Sequence, residues 1–456
     1  MPRRQGGSLS GFTPLSTPNA PTDLSVSTSI GSASVSFTAP SDTGDAAVTS
    51  YIVTAVDEST GASTGVTGTS SPVTISPGGG TFKIRAQAVN DFGPGRLSEF
   101  DTGNVIYVGA ELYSWGSNYG GRLGDGTTVN KSSPVQVGAL TTWAQVSVGA
   151  GVSTSIKTDG TLWAWGLNSS GAVGDGTTVS RSSPVQIGAL TIWAQASPAR
   201  AIKTDGTFWA WGNNSNGQIG DNTTANKSSP VQIGALTNWS KVSSAGHTIS
   251  VKTDGTLWAW GNNNNGQVGD STTTNRSSPV QIGALTDWAQ VSAGTLHSAA
   301  VKTSGSLWAW GDNFRGKLGD GTDIDRNSPR QIGSLTNWLQ VSAGNNHTAA
   351  VKTDGTLWTW GDNQEGRLGD GTVISRSSPV QIGALTTWSQ ASAGGSNTAA
   401  VKTDGTLWGW GNGIDGKVGD RAVANRSSPV QIGSFASTWA QVSLGDTNAS
   451  ALQGVV

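Results

Sequence analysis

The chain has no cysteine among its 456 residues, which excludes disulfides, thiol catalysis and cysteine-ligated metal. Methionine occurs once, and charged residues make up 12%, well below the usual share of ~25%. A net charge of -2 lacks the basic footprint of a nucleic-acid binder or a polybasic membrane patch. No apolar run is long enough to cross a bilayer. No nucleic-acid partner and no membrane insertion are therefore expected. The opening MPRRQGGSLSGF has basic residues with no apolar stretch behind them, so it does not read as a secretory signal. What the chain has in excess is glycine, at 65, and tryptophan, at 20.

Every tryptophan lies after residue 114 and belongs to one template. Seven stand before a glycine, from Trp115 and Trp165 to Trp410, at spacings of 46 to 50. A second set runs from Trp143 to Trp439 with nearly the same gaps. Six more sit two residues before the first set, with Tyr113 in that place in the first copy. A period near 50 signals a solenoid or a propeller. Each copy reads as four short strands, such as WLQVSAG, HTAAVKT, TLWTWG and SPVQIG, with Asp-Gly joining the second to the third. Four strands around a repeated apolar layer make a propeller blade.

The hairpin occurs six times, at Gly160, Gly206, Gly255, Gly305, Gly355 and Gly405, whereas the other features occur seven times. The missing hairpin falls where the repeat region begins and ends. Strands from Glu111 onward are expected to share one blade with those after Trp439, leaving no open edge. The predicted fold is all-β: a seven-bladed propeller over residues 111–456 closed by its own termini, a β-sandwich over 21–103, a linker at 104–110 and an extended arm at 1–20.

The recurring Gly-x-x-His, Asp-Gly-x-Leu-Trp-x-Trp-Gly-x-Asn and Gly-x-Leu-Gly strings resemble the regulator of chromosome condensation repeat family, which forms seven-bladed propellers. The copies are short and uniform, which looks more like bacterial and phage members. Members of the family include a nucleotide-exchange factor and a secreted β-lactamase inhibitor, so the fold alone implies no single function. Residues 21–103 resemble a fibronectin type III domain in Pro21, Pro40, Ala88 to Asn90 and Gly93. They depart from it at Phe37, where the family has a core tryptophan, and at Phe82, near its usual tyrosine.

No constellation suggests catalysis, and no cofactor is expected. His247, His297 and His347 recur at one template place, and the reading is a polar group satisfying its own loop backbone rather than a metal ligand. Seven aspartates, from Asp125 to Asp420, are each followed six residues later by Lys or Arg, which predicts a loop brace in each blade. The loop with Asp320, Asp323 and Asp325 has the oxygen ligands calcium would need, although aspartate is also an ordinary turn residue. The tryptophans are expected to pack in the core.

The repeat has one monotonous side, where Lys-Thr-Asp-Gly-Thr and Gly-Ala-Leu-Thr recur, and one varied side. The varied loops carry Tyr119, Ser169, Ser215, Asn264, Phe314-Arg315, Gln364-Glu365 and Ile414-Asp415. A recognition surface needs unlike groups, so Tyr119, Phe314, Arg315, Gln364, Glu365, Ile414 and Asp415 are the candidate binding residues. The termini of the propeller fall on the monotonous side, where the sandwich is expected to attach. In the arm, Arg3, Arg4, Phe12 and Leu15 are the candidate anchoring residues.

Together these features point to a non-enzymatic virion structural protein, a phage head or tail fibre or decoration, assembled in the host cytoplasm. Its arm and sandwich would bind other virion proteins, and its varied face a host surface protein or glycan. The alternatives are a bacterial surface or secreted adhesin or inhibitor-type binding protein, and a nucleotide-exchange-type regulator.

Overall fold

The computed structural model describes residues 16–29, 32–58, 61–76, 80–106, 109–433 and 438–455. The anchoring candidates Arg3, Arg4, Phe12 and Leu15 lie outside these described residues. The chain divides into two compact units, Met1–Val108 with Val456, and Gly109–Val455.

The first unit holds β1 (Thr22–Ser29), β2 (Ser32–Thr38), β3 (Ser50–Asp57), β4 (Ser63–Gly68), β5 (Val73–Ile75), β6 (Gly80–Asn90), β7 (Gly93–Leu97) and β8 (Asp101–Ile106). One sheet has the order β1-β2-β5 and the other β4-β3-β6-β7, with β8 also on β6. Strict alternation drives the pairing, because every second side chain of a strand meets the same face. Val35 and Phe37 from β2, Val53 and Ala55 from β3, and Ile84 and Ala86 from β6 form one buried cluster. The Phe37 ring lies 4.8 Å from that of Tyr51, so phenylalanine fills this core without tryptophan. The segment expected as a linker, 104–110, is mostly strand: β8 pairs Ile106 with Gly80, and the next strand opens at Gly109.

The second unit is built of four-stranded antiparallel blades. Blades 1 to 6 are Trp143–Gln186, Trp193–Gln232, Trp239–Gln281, Trp288–Gln331, Trp338–Gln381 and Trp388–Ile432. Blade 7 joins the two ends of the unit. Trp439–Leu444 and Asn448–Val455 supply its first two strands, and Gly109–Gly116 and Lys131–Gln136 the others. Asn448 stands opposite Gly116 and Val455 opposite Gly109 in an unbroken register.

Neighbouring blades bury the second tryptophan of each Trp-x-Trp pair. The indole of Trp165 donates to the Arg122 carbonyl of blade 7 at 3.1 Å, and that of Trp115 donates to the Lys417 carbonyl of blade 6 at 3.2 Å. Gly124, at φ +78°, passes so close above Trp165 that a Cβ there would lie 2.6 Å from Nε1. This close approach explains the glycine of the recurring Gly-x-Leu-Gly string. The first tryptophan of each pair differs from the expectation of core packing. Trp163, Trp209 and Trp258 are only half-buried, with the ammonium of Lys157, Lys203 and Lys252 3.6 to 3.7 Å from their ring centroids. These residues sit beside the hairpin turns, where the sheet runs out of neighbouring blade to cover them.

Candidate functional site

The loops after the first and third strands of each blade lie on one side, and the first-to-second-strand loops of blades 1 to 7 converge there. They line a cavity of about 420 Å³ where they converge, walled largely by glycine and alanine such as Gly294, Gly344 and Gly394. Small residues suit this place because seven loops crowd toward one axis. Gly394 shows the crowding: a Cβ on it would meet the Gly445 carbonyl oxygen at 2.6 Å.

Blade 2 breaks the pattern. Its first loop is four residues shorter, from Trp193 to Lys203 against Trp288 to Lys302 in blade 4, and the cavity extends into the gap past Leu167, Ala172, Pro198 and Asn213. Arg200 takes over the work of the missing loop. Its guanidinium donates to the carbonyls of Ala199, Trp211 and Gln218 and to the Thr248 hydroxyl, at 2.6 to 3.1 Å. With no carboxylate beside it, burial pulls its pKa down to about 9. The signal for this notch in the sequence is the short spacing of 46 residues between Trp165 and Trp211.

On the other side of blade 1 from the notch, Asp446 reaches the rim of the cavity. Burial raises its pKa, against the opposing pull of the Asn345 amide, Arg122 and Lys417. Arg122 donates to the carbonyls of Tyr119 and Ala150 and to the Thr447 hydroxyl, tying loops of blades 7 and 1 together.

The structure gives the candidate binding residues two different settings. Tyr119, Phe314 and Ile414 stand 71%, 55% and 57% exposed at equivalent places. The charged and amide candidates are engaged with the next blade or with their own loop. Arg315 pairs with Asp362 at 2.8 Å, and Gln364 lies beside the same guanidinium. Glu365 holds Arg367 at 2.5 Å and accepts from Asn412 at 2.8 Å, and Asp415 accepts from Asn130 at 3.0 Å. The monotonous side also carries more than turn geometry. Leu140, Leu190, Leu236, Leu285, Leu335 and Leu385 form a repeated set of half-exposed side chains there.

The histidines do not serve their own loops, as the sequence reading expected. Each bridges to the next blade, with Nε2 of His247, His297 and His347 at 2.6, 2.9 and 2.8 Å from the hydroxyls of Ser298, Thr348 and Thr398. Those hydroxyls donate onward to the carbonyls of Gln267, Lys317 and Arg367. Each imidazole must therefore donate from Nε2, which fixes one neutral tautomer. Burial holds all three pKa values far below 6.5, to about 3 at His247.

The Asp-base brace is present in each blade, from Lys131 on Asp125 at 3.4 Å to Arg426 on Asp420 at 2.6 Å. In the loop considered for calcium, Asp320 is held by Arg326, and Asp325 accepts from the Asn313 backbone at 2.7 Å. Burial would raise the Asp320 pKa, but the Thr322 and Arg326 hydrogen bonds outweigh it and keep the group ionised. Among the described residues, no three acidic or histidine side chains gather as metal ligands.

The blade architecture and its Trp-Gly and Gly-x-Leu-Gly strings agree with the comparisons. The RCC1-like domain model matches residues 107–344, which is half of the chain. Regulator of chromosome condensation (RCC1) repeat models match residues 338–367, 354–401 and 404–452. The chain belongs to the RCC1-like domain family. Among solved structures, this RCC1-like chain is similar to human WBSCR16, with 21% identity and a TM-score of 0.69 over 76% of this chain and 99% of that one. It is similar also to Prp20p from Saccharomyces cerevisiae, with 19% identity and a TM-score of 0.68 over 76% of this chain and 92% of that one. At these identities the likeness is one of fold. No curated protein sequence matches the chain.

Proposed function

We propose that the RCC1-like propeller is a non-catalytic, regulator-type binding platform that takes a protein partner on the side where the first and third loops of its blades converge. The observation that carries this reading is the contrast between the two sides. The side around the 420 Å³ cavity bears unlike groups at equivalent places, such as Tyr119, Ser169 and Phe314, whereas the hairpin side repeats. The reading takes the propeller as a seven-bladed ring closed by its own ends, supported by the register of Asn448–Val455 on Gly109–Gly116. It is supported also by relatives of the same fold: Prp20p is described with binding to Gsp1p and histones, and yeast RCC1 is bound to Kap60. These likenesses favour the regulator-type alternative and lend no support to a virion role. The fibronectin type III-like character of residues 21–103 belongs to the same proposal, as a second module carried by the propeller.

The test is footprinting of a partner cross-linked to the full chain in extracts of its source cells. Protection around Tyr119, Phe314 and Ile414 is expected, and protection confined to the leucine-bearing side would overturn the reading. A narrower reading, nucleotide exchange, is checked by release of a fluorescent guanine nucleotide from a small GTPase of the same cells. Unchanged release at saturating propeller would exclude exchange while leaving the platform intact.

A further inference from the structure

In each of blades 1 to 6 the repeat seats one lysine ammonium on a pair of aromatic rings. The lysine ends the second strand, as Lys157, Lys203, Lys252, Lys302, Lys352 and Lys402. Its ammonium lies 3.6 to 4.5 Å from the centroid of the first tryptophan of the Trp-x-Trp pair. It lies 4.7 to 5.1 Å from that of the tryptophan opening the first strand. The two rings meet edge to face, as Trp143 and Trp163 do at 6.0 Å and 79°. The face of an aromatic ring is the negative side of its quadrupole, so this pair makes a seat for a cation.

Blade 7 keeps the rings and loses the lysine. Tyr113 and Trp439 stand at the two aromatic places, with centroids 5.3 Å apart and planes at 71°. The register puts Gln453 opposite Trp439, where Lys157 stands opposite Trp143 in blade 1. Glu111 stands opposite Gln453. At the place of Glu111, blades 1 to 6 carry only Thr or Ser, from Thr161 to Thr406. A cation held by the chain itself is gone from this seat, and a carboxylate has been added beside it.

That carboxylate is held in position without being neutralised. The Tyr113 hydroxyl donates to Glu111 at 2.7 Å, and among the described residues no base pairs with Glu111. Burial, and then the bond to Glu111, pushes the Tyr113 pKa up to about 12, so the ring stays a neutral phenol. The cation–ring contacts outside the six lysines fall on Phe100, Tyr119 and Phe314, so among the described residues none covers Tyr113 or Trp439. The seat is also open to approach. A groove of about 510 Å³ borders both rings, lined further by Ser133, Pro134, Gln431 and the exposed Arg421.

We propose that Tyr113, Trp439 and Glu111 form a binding site for an alkylammonium group from outside the chain, seated where the other blades place their own lysine. The rings supply the negative face and Glu111 the counter-charge. The site is independent of the platform reading above, and its failure would leave that reading untouched.

The experiment uses the full chain with fluorotyrosine in place of its four tyrosines, read by fluorine NMR. Tyr113→Phe assigns the Tyr113 signal, and the exposed Tyr119 is the internal control. The probes are n-butylammonium chloride, sodium butyrate and an end-capped peptide whose only charge is one lysine. n-Butylammonium is expected to shift the Tyr113 signal saturably and leave that of Tyr119 unmoved, and butyrate to shift neither. Gln453→Lys restores the residue that six blades carry at this place, fills the seat from within and should remove the shift. Its melting temperature, expected to be no lower than that of the parent chain, checks that the fold is kept. Glu111→Gln should weaken binding by about five-fold. A peptide bound about ten-fold tighter than n-butylammonium, or more, assigns the site to a protein lysine, and a smaller ratio to a free amine. An unmoved Tyr113 signal, an equal shift with butyrate, or full binding by folded Gln453→Lys or by Glu111→Gln would overturn the proposal.

Discussion

The side-chain amide of Gln441 bonds both backbone groups of Val146. The Val146 N–H donates to Oε1 at 3.0 Å, and Nε2 donates to the Val146 carbonyl at 3.2 Å. This ties the first strand of blade 7 to that of blade 1. The same stitch joins Gln145 to Ala196, Gln290 to Val341, Gln340 to Ala391 and Gln390 to Val442. A side chain that satisfies a neighbour's N–H and C=O together pins both the spacing and the register of two adjacent blades.

Gln441→Ala leaves two backbone groups to find other partners, and a net loss of about 1–3 kcal/mol of stability is expected. Chemical denaturation checks the size, and amide hydrogen exchange at Val146 should quicken more than at Ala391. Blade 3 offers the reverse test, because exposed Lys241 stands where the other blades have glutamine. Lys241→Gln restores a reach toward Val291 and should stabilise the protein by about 1 kcal/mol.

Gly124→Ala should be costly. A Cβ at φ +78° is strained by about 1–2 kcal/mol, and this one would also press within 2.6 Å of the Trp165 indole. A loss of about 2–5 kcal/mol is expected in denaturant titration. Gly138→Ala is the control, since it shares the positive φ at +70° but meets nothing within 4 Å, and it should show the strain alone.

Acid should loosen the propeller before its carboxylates titrate. The three buried histidines stay neutral in the fold, to about pH 3 at His247, whereas in the unfolded chain they take up protons below about pH 6.5. Protons bind the unfolded state more, so stability falls as pH drops, by about 1.4 kcal/mol per pH unit for each histidine. Urea midpoints between pH 6.5 and 5 measure this slope. His247→Asn, which places there the residue that blade 6 carries as Asn397, should flatten it by about a third.

Arg200→Ala would strip the donors from the Trp211 and Gln218 carbonyls and open the cavity further into blade 2. A loss of about 2–4 kcal/mol is expected from thermal unfolding. Arg200→Lys keeps one donor group and should recover part of it.

The four-strand order of the blades and the loop braces were legible because each depends on residues close together in the chain. The Asp-Gly hairpins and the six-residue spacing of Asp175 and Arg181 are local facts, satisfied within one blade whatever its neighbours do. The pairing of Asn448–Val455 with Gly109–Gly116, at the two ends of the repeat region, could be anticipated because one hairpin was missing from the set. The contacts that cross between blades were not legible. His297 and Thr348 are 51 residues apart, and no spacing rule says that an imidazole will reach a hydroxyl of the next repeat instead of its own loop. Lys317, Arg367 and Arg122 stand in their loops where other blades have Ala172, Gln218 and Gln267, and only packing shows that they are turned inward. Periodicity along the chain determined which atoms each blade has to offer. Only the close packing of one blade on the next decided which charges were buried and paired inside the loops, because burial and pairing are properties of the space between repeats rather than of any repeat alone.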